Sequence, residues 1–210
     1  MNAGLTMERV YDTLKQRLLR GVHRPGERLD PARLAAELNA SPTPVRDALN
    51  RLVGERLVET WPQEGFHAPI PTEAGLRDLY RWNHDLLALV LRSVSVPRTA
   101  SSDMAFAANH MLAPARLFLR ITAGSSNGEH RHAVAHANDR LHLARLAEAQ
   151  ALDGTEAELA EMESAFDGDS PAALRKLVAV YHRRRVRLVA DIITVMRDGL
   201  GIDSGQTDPQ

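Results

Sequence analysis

Five hydrogen-bonding side chains near residue 45 have the types and the spacing needed to recognise base edges in a DNA groove. They share one face of a predicted helix and are Thr43, Arg46, Asp47, Asn50 and Arg51. The guanidinium of an Arg matches the O6/N7 edge of guanine, the amide of an Asn matches adenine, and a Thr suits phosphate or a thymine methyl. The pattern therefore indicates hydrogen-bonded recognition of a duplex.

The opposite face of the same predicted helix is apolar, so the helix has a side to bury. Its members are Val45, Ala48, Leu49, Leu52 and Val53. Ser41 or Thr43 could cap the helix, and Pro44 fits its first turn, where a missing N–H costs nothing. Most surface helices also have a polar face, so the neighbouring elements must decide the interpretation.

Two further helices are predicted before this one. The earlier helix carries an apolar stripe that includes Val10, Leu14 and Leu18. The second is expected to begin after Asp30 as its cap, and Asn39 is expected to end it in the left-handed conformation. The few residues that separate the second helix from the third are typical of a helix-turn-helix.

A two-stranded hairpin is predicted directly after the third helix. Its strands are the runs 57–60 and 65–68, and the turn between them is WPQEG. A hairpin in this place is a wing. Its tip, which includes Gln63, Glu64, Gly65 and His67, would lie near the DNA backbone or the minor groove.

Ordered motifs cover about the first third of the chain. They comprise Leu19, the run 25–29 (PGERL), Leu34, Ala35, Leu38, Ser41, the run 43–49 (TPVRDAL), Leu52, Gly54, Leu57, Val58, Gly65 and Phe66. Together they resemble the winged helix-turn-helix of GntR-type bacterial transcription regulators. The resemblance implies that Arg46 reads a base and that Thr43 and the wing around Gly65 hold the DNA backbone. Pro42 stands where relatives commonly have Arg, which removes one expected DNA contact.

The net charge of the chain does not by itself indicate a double-stranded DNA partner, so the positive side chains must be concentrated where they would meet the DNA. The 210 residues carry a formal net charge of −1, with +1 through Ile70 and −2 beyond it. The chain has no cysteine, which excludes disulfides and thiolate metal sites. We expect no membrane segment and a cytoplasmic, nucleoid-associated protein.

The sequence predicts a mainly α protein, with an N-terminal winged helix-turn-helix and a C-terminal all-helical bundle. The expected boundaries are 1–70 for the DNA-binding domain, 71–200 for an effector-binding and dimerisation domain, and 201–210 for a disordered tail. The bundle is predicted as a helix capped by Thr72, a helix over about 103–121 kinked at Pro114, and helices over 130–152, 155–166 and 172–200. Thr155 and Glu158 are expected to form a capping box.

Looser motifs in the bundle resemble the helical effector domain called FCD. They are the run 78–80 (DLY), Phe118, Ala123, Ser125, Asn127 and the segment 168–173. In that family an Asp and three His often hold a metal. The matching positions here are Ala115, Leu119, a position near Glu158 and one near Val180. We therefore predict no metal of that type and no cofactor.

Two other groups of residues in the bundle could bind a ligand. The cluster His130, His132, His136 and His142 suggests a metal site, but charged neighbours favour a solvated helix face. The stripe of the last helix includes Arg185, with His182 beside it. Arg185, with His182, Asn83 or His84, could meet an anionic effector, whereas a structural pair with Glu or Asp is the favoured alternative.

The sequence thus predicts a homodimeric, ligand-responsive regulator that binds a pseudo-palindromic operator, with a small carboxylate as effector. The chain has neither a Gly-rich phosphate loop nor a nucleophile elbow, so we expect no enzymatic activity. Two alternatives stay open at this point. One is a His-dependent metallo-enzyme with an appended winged helix, and the other is a winged helix used only for protein contacts.

Overall fold

The structure is a computed structural model that describes residues 3–93 and 112–198 of the chain. Within these residues the chain is mainly α-helical, with one two-stranded antiparallel sheet. It divides into two compact units: one is the part up to Pro71 together with residues 196–198 at the end of the last helix, and the other is Thr72–Val195. We call the part up to Pro71 the N-terminal unit and the part from Thr72 to Val195 the helical unit.

Three helices build the N-terminal unit, and they are α1 (Ala3–Leu19), α2 (Pro31–Glu37) and α3 (Pro42–Gly54). The side chain of Asp30 caps α2, because its Oδ1 accepts from the backbone N–H groups of Ala32 and Arg33, each at 2.9 Å. Asn39 follows with a φ of +49°, as predicted. Ser41 stands at the N-cap of α3, but its side chain makes no capping bond.

The core of the N-terminal unit forms where α1 and α2 pack against one side of α3. The α3 residues in this core are 0% exposed and are Val45, Ala48, Leu49 and Leu52. They meet Val10, Leu14 and Leu18 of α1 and Leu34 of α2 within one buried cluster. The predicted inward and outward faces of α3 are therefore the observed ones.

The predicted wing is present and short. Its strands β1 (Glu59–Trp61) and β2 (Gly65–His67) pair in antiparallel register, with Glu59 opposite His67 and Trp61 opposite Gly65. The other edge of β2 is also covered, because the Leu29 N–H donates to the Phe66 carbonyl at 2.8 Å. This pairing ties the wing to the segment that precedes α2.

Seven helices build the helical unit within the described residues. They are α4 (Glu73–Ser93), α5 (Ala113–Thr122), α6 (Gly128–Arg140), α7 (His142–Ala151), α8 (Thr155–Asp167), α9 (Pro171–Arg187) and α10 (Val189–Asp198). The Gly75 N–H donates to Thr72 Oγ1 at 3.1 Å, so Thr72 caps α4 as predicted. The core includes Leu87, Leu117, Phe118, Val134 and Tyr181. No described helix combines the length and the apolarity that crossing a membrane would require.

The sequence predicted one helix over 103–121 with a kink at Pro114. This was wrong, because a new helix begins just before Pro114. Leu112 is extended, with φ −61° and ψ 149°, and α5 begins at Ala113. Pro114 therefore occupies the first turn, where its missing N–H leaves no bond unmade. The earlier part of that predicted helix lies outside the described residues.

Three other helix predictions need correction. The segment 130–152 is two helices that meet at Leu141, and the segment from 172 is two helices that meet at Leu188. The capping box at Thr155 and Glu158 does not form, because α8 has Gly154 at its N-cap, in the left-handed conformation at φ +69°. A glycine adopts this conformation without steric cost, so the chain turns there without a side-chain cap.

We expect the left-handed residue between α2 and α3 to tolerate Gly better than Ala. Asn39→Ala should lower the free energy of unfolding of the N-terminal unit by about 1 kcal/mol, because a Cβ-bearing residue without a locally bonding side chain is disfavoured there. Asn39→Gly should cost less or nothing. The measurement is urea unfolding followed by Trp61 fluorescence in a Trp82→Phe background, and equal losses in both variants would contradict the prediction.

Candidate nucleic-acid interface and buried polar cluster

The polar face of α3 is exposed and largely free of internal partners. Thr43, Arg46, Asp47 and Asn50 are all exposed. Within the described part of the chain, no ion pair or side-chain hydrogen bond engages Arg46 or Asn50. The packing that buries the opposite side of α3 therefore presents to solvent a guanidinium in the N-terminal half of the helix and an amide about one turn further on, where both could reach base edges.

Arg51, which was predicted on the same face, is held by its own unit. Its Nη1 lies 3.1 Å from Glu8 Oε2, and its Nε lies 3.5 Å from Glu55 Oε1. Its guanidinium also stacks over the Tyr11 ring at 3.7 Å from the centroid. Arg51 thus joins α3 to α1, and a contact with DNA would have to compete with these partners.

Glu55, at the end of α3, gathers the polar contacts between α1 and α3. The Tyr11 hydroxyl donates to Glu55 Oε1 at 2.7 Å, and Lys15 Nζ lies 3.0 Å from Glu55 Oε2. Burial would raise the pKa of the Glu55 carboxyl, but the hydrogen bonds from Tyr11 and Lys15 and the charge of Arg51 bring it below its usual value. The carboxylate is therefore charged at neutral pH and fixes the packing of α1 on α3.

The two wing residues predicted to contact DNA differ in accessibility. Gly65 is exposed at the hairpin tip, with a φ of +86°. His67 is 3% exposed, and its ring stacks on Trp61 with centroids 3.9 Å apart. An imidazole packed in this way shapes the wing and has almost no surface open to a duplex, so its burial argues against the predicted DNA contact by His67.

The N-terminal unit divides its cations into paired and unpaired groups. Carboxylates pair with Lys15, Arg17, Arg33 and Arg51. No ion pair involves the other six arginines of the described N-terminal unit, namely Arg9, Arg20, Arg24, Arg28, Arg46 and Arg56. A near-neutral net charge therefore coexists with several guanidiniums that are available for phosphates.

The helical unit contains a buried ion-pair cluster centred on Arg185. This residue is 1% exposed, and its Nε lies 2.8 Å from Glu148 Oε2. Its Nη1 lies 2.5 Å from Glu158 Oε2. The structural pairing that the sequence favoured for Arg185 is therefore observed. Burial alone would lower the pKa of Arg185, but Tyr181, Glu148 and Glu158 together raise it.

Two tyrosines complete the shell around Glu148. The Tyr80 hydroxyl donates to Glu148 Oε1 at 2.5 Å, and the Tyr181 hydroxyl donates to Oε2 at 3.3 Å. Burial, followed by the charge of Glu148, raises the pKa of Tyr181 to about 12 and raises that of Tyr80 as well. Both tyrosines stay protonated as donors, and the carboxylate of Glu148 accepts hydrogen bonds from Tyr80, Tyr181 and Arg185.

Asn83, His84 and His182, the other predicted effector residues, lie together beside this cluster. His182 Nε2 lies 3.0 Å from Asn83 Oδ1, and its ring centroid lies 5.5 Å from that of His84. Asn83 and His182 are buried, whereas His84 is half-buried. Burial lowers the pKa of His182 to about 3, so this imidazole is neutral at physiological pH.

Two buried polar residues of this region were missed from the sequence. Arg145 is 5% exposed and Asn138 is 4% exposed. Arg145 Nη1 donates to Asn138 Oδ1 at 2.9 Å, and Asn138 Nδ2 donates to the Ala115 carbonyl at 3.1 Å. The signal in the sequence was the apolar stripe of Leu141, Ala144 and Ala147. Asn138 and Arg145 lie at helical spacing from these residues and therefore face the same core.

The four clustered histidines do not assemble into one site. His130 Nδ1 forms a hydrogen bond with Ser125 Oγ at 2.7 Å. His132 is exposed, and His142 belongs to the next helix. Residues 3–93 and 112–198 contain no group of three or more His, Asp or Glu side chains placed to hold a metal ion. The positions aligned with the FCD ligands, Ala115 and Leu119, are buried apolar side chains.

Comparison with known proteins identifies the N-terminal unit. Residues 6–68 match the family of bacterial regulatory proteins named gntR. The Nta operon transcriptional regulator of Aminobacter aminovorans is 47% identical over 57 residues, 27% of each chain. The regulator McbR of Escherichia coli strain K12 is 37% identical over 95 residues, 45% of this chain and 41% of McbR. Residues 6–68 therefore form a winged helix-turn-helix of the gntR family.

The fold comparison extends beyond this domain. A GntR transcriptional regulator from Rhodococcus sp. RHA1 superposes with a TM-score of 0.72 at 19% identity, covering 88% of this chain and 97% of that one. The McbR structure superposes with a TM-score of 0.61 at 20% identity, over 88% and 97% of the two chains. At these identities the likeness establishes the fold alone. The curated sequence matches span less than half of each relative's length.

The burial of neutral His182 predicts an acid-sensitive helical unit. The unfolded imidazole takes up a proton near pH 6.5, whereas the folded one stays neutral down to about pH 3. The contribution of His182 to the free energy of unfolding is therefore fully present above about pH 6.5. Below that pH it is lost at up to about 1.4 kcal/mol per pH unit. His182→Gln should remove this contribution to the slope between pH 6.5 and 5.

The measurement is urea unfolding at several pH values, followed by Trp82 fluorescence in a Trp61→Phe background. His132→Gln is the matched control, because the exposed ring of His132 is solvated in both states. Identical slopes for His182→Gln and the parent protein would contradict a buried neutral imidazole.

Proposed function

We propose that this chain is a DNA-binding transcription regulator of the GntR type. The observation that carries the proposal is the exposed face of α3, where Arg46 and Asn50 project from a helix whose other side is buried. The gntR match over residues 6–68 supports the same assignment for this unit. A bacterial regulator works at the chromosome, so the proposal includes a cytoplasmic, nucleoid-associated location.

The proposed DNA interface combines base reading with phosphate contacts. Arg46 and Asn50 would meet base edges, and Thr43 and the exposed tip at Gly65 would contact the backbone. Asp47 lies on the same exposed face and would select against bases that present only acceptors. Unpaired arginines such as Arg28 would contribute a salt-dependent attraction to phosphates.

We propose that the regulator binds its operator as a homodimer formed through the helical unit. On α4, Trp82 is 50% exposed, and the acids Asp78 and Asp85 flank it. On α9, Val180 is 47% exposed, between the exposed bases Lys176 and Arg183. A two-fold axis can set the acids beside Trp82 of one copy against the bases beside Val180 of the other. Such a dimer would place two winged domains on half-sites of a pseudo-palindromic operator, one or more turns apart.

The helical unit is proposed to bind a small carboxylate effector as a divergent FCD-type domain without the family's metal. Its interior is polar, because Asn83 and His182, hydrogen-bonded to each other, lie beside the buried ion pairs of Arg185. Because these groups come from α4, α7, α8 and α9, a bound anion could shift their packing and alter DNA affinity by a few kcal/mol. We propose no catalytic activity, because no observation on the described residues favours one.

Arg46→Ala should weaken specific DNA binding by about 1–3 kcal/mol, because a bidentate contact to guanine is lost. Fragments selected by the purified protein supply the operator, and fluorescence anisotropy in the presence of competitor DNA measures the affinity. Arg92→Ala, an exposed arginine of α4, is the control and should bind as the parent protein does. Unchanged operator affinity in Arg46→Ala would refute its role in base reading.

A charge placed at either exposed apolar position should disrupt the dimer. Trp82→Glu and Val180→Glu should each sediment close to the chain mass of 23.2 kDa, whereas the parent protein should sediment at twice that mass. Val22→Glu is the matched control, because Val22 is 56% exposed in the N-terminal unit. A monomeric parent protein, or dimeric Glu variants, would contradict this interface.

A further inference from the structure

Arg145 of α7 is a buried guanidinium with an incomplete set of acceptors. Its Nη1 donates to Asn138 at 2.9 Å, and its Nη2 lies 3.4 Å from Asn83 Oδ1. Its Nε is buried without a hydrogen-bond partner. No carboxylate of the described chain forms an ion pair with it. A buried charge normally has both hydrogen bonds and a counter-charge, so this guanidinium requires an explanation.

The nearby carboxylates already form ion pairs with another arginine. Glu148 and Glu158 both pair with Arg185, and Arg184 Nη1 lies 3.7 Å from Glu158 Oε2. The cluster therefore contains three guanidiniums and two carboxylates. One further negative charge would neutralise the cluster, and Arg145 is the guanidinium without a carboxylate partner.

The hydrogen bonds of His182 determine how Asn83 is oriented. His182 Nδ1 lies 2.7 Å from the Val178 carbonyl, which can only accept, so Nδ1 carries the proton. In the neutral ring Nε2 is then an acceptor, and an oxygen of Asn83 at 3.0 Å would face it unfavourably. Asn83 Nδ2 also has no partner in that orientation. Turning the amide by 180° lets Nδ2 donate to Nε2.

In this orientation neither Nε nor Nη2 of Arg145 keeps a hydrogen-bond acceptor. The Asn83 atom that faces His182 Nε2 also lies 3.4 Å from Arg145 Nη2, so the turned amide sets its own NH2 group against Nη2, and Nε already lacks a partner. The Nε and Nη2 hydrogens point in parallel from one side of the planar group. That pair of donors is the fork that binds the two oxygens of a carboxylate.

We propose that the Nε–Nη2 edge of Arg145 is the binding site for the carboxylate group of a small monoanionic ligand. The inference rests on the proposed effector role of the helical unit and assigns its charge recognition to Arg145 instead of Arg185. Phe118 lies beside the guanidinium, with its ring centroid 5.2 Å from Arg145 Cζ. Phe118 is 0% exposed, so a ligand at this edge would be enclosed by apolar core side chains, which suits a short carboxylate.

The test compares carboxylates with their uncharged amides on the full-length protein. Formate, acetate and benzoate are titrated by calorimetry beside formamide, acetamide and benzamide. At least one carboxylate should bind saturably with one site per chain, and its amide should bind at least about tenfold more weakly, because charge-assisted bonds are lost. Absence of saturable binding by all three carboxylates overturns the proposal.

Variants locate the site. Arg145→Gln should weaken binding of that carboxylate at least about tenfold, and Arg145→Lys should also weaken it, because Lys keeps the charge but lacks the fork. Arg187→Gln, which removes an exposed arginine of α9, should bind as the parent protein does. If Arg145→Gln does not fold, the Nε–H signal of Arg145 in the parent protein decides by NMR. It should move downfield on saturation with the carboxylate, and an unmoved signal overturns the proposal.

DNA binding is measured on the same samples, so failure of the carboxylate site can be distinguished from failure of the proposed regulator function. A protein that binds its selected DNA but binds no carboxylate retains the proposed regulator function and loses this site. A protein that binds a carboxylate through Arg145 but ignores DNA at low ionic strength retains the site and loses the regulator function.

Discussion

Burial of one side of α3 is the constraint on which the proposed DNA recognition depends. Val45, Ala48, Leu49 and Leu52 are fully buried against α1 and α2, so the helix cannot rotate without exposing them. The orientation of Arg46 is consequently a property of the core and not of the surface. The contacts of Glu55 with Tyr11 and Lys15 add a polar clamp at the far end of the same helix.

The face of α3 that can read DNA is narrower than its sequence suggests. Arg51 shares the polar face by helical spacing, yet it stacks on Tyr11 and pairs with Glu8 of α1. Base recognition would therefore concentrate on Thr43 and Arg46 in the first turns and on Asn50 about one turn further along. A recognition helix that contributes its N-terminal residues to the groove and its C-terminal residues to its own core fits the usual docking of this motif.

Local patterns predicted those features that local physics controls. The winged fold, the Asp30 cap and the left-handed Asn39 follow from short-range spacing and backbone preference. The breaks at Leu141 and Leu188 were missed because no Gly or Pro marks either position. The partners of Arg185 were beyond prediction in detail, since Glu148 and Glu158 approach it from two other helices. Arg145 was missed for the same reason, because burial of a charge is decided by its distant neighbours.

The polar interior of the helical unit is better suited to switching than to stabilisation. A buried ion pair gains little net stability, because desolvation offsets the attraction, but it fixes which groups face each other. Here Tyr80, Glu148, Glu158 and Arg185 belong to four different helices, so one change of charge acts on all four together. A carboxylate beside Arg145 would neutralise the surplus cation of this cluster. It would thereby favour one packing of these helices over another by its difference in affinity for the two.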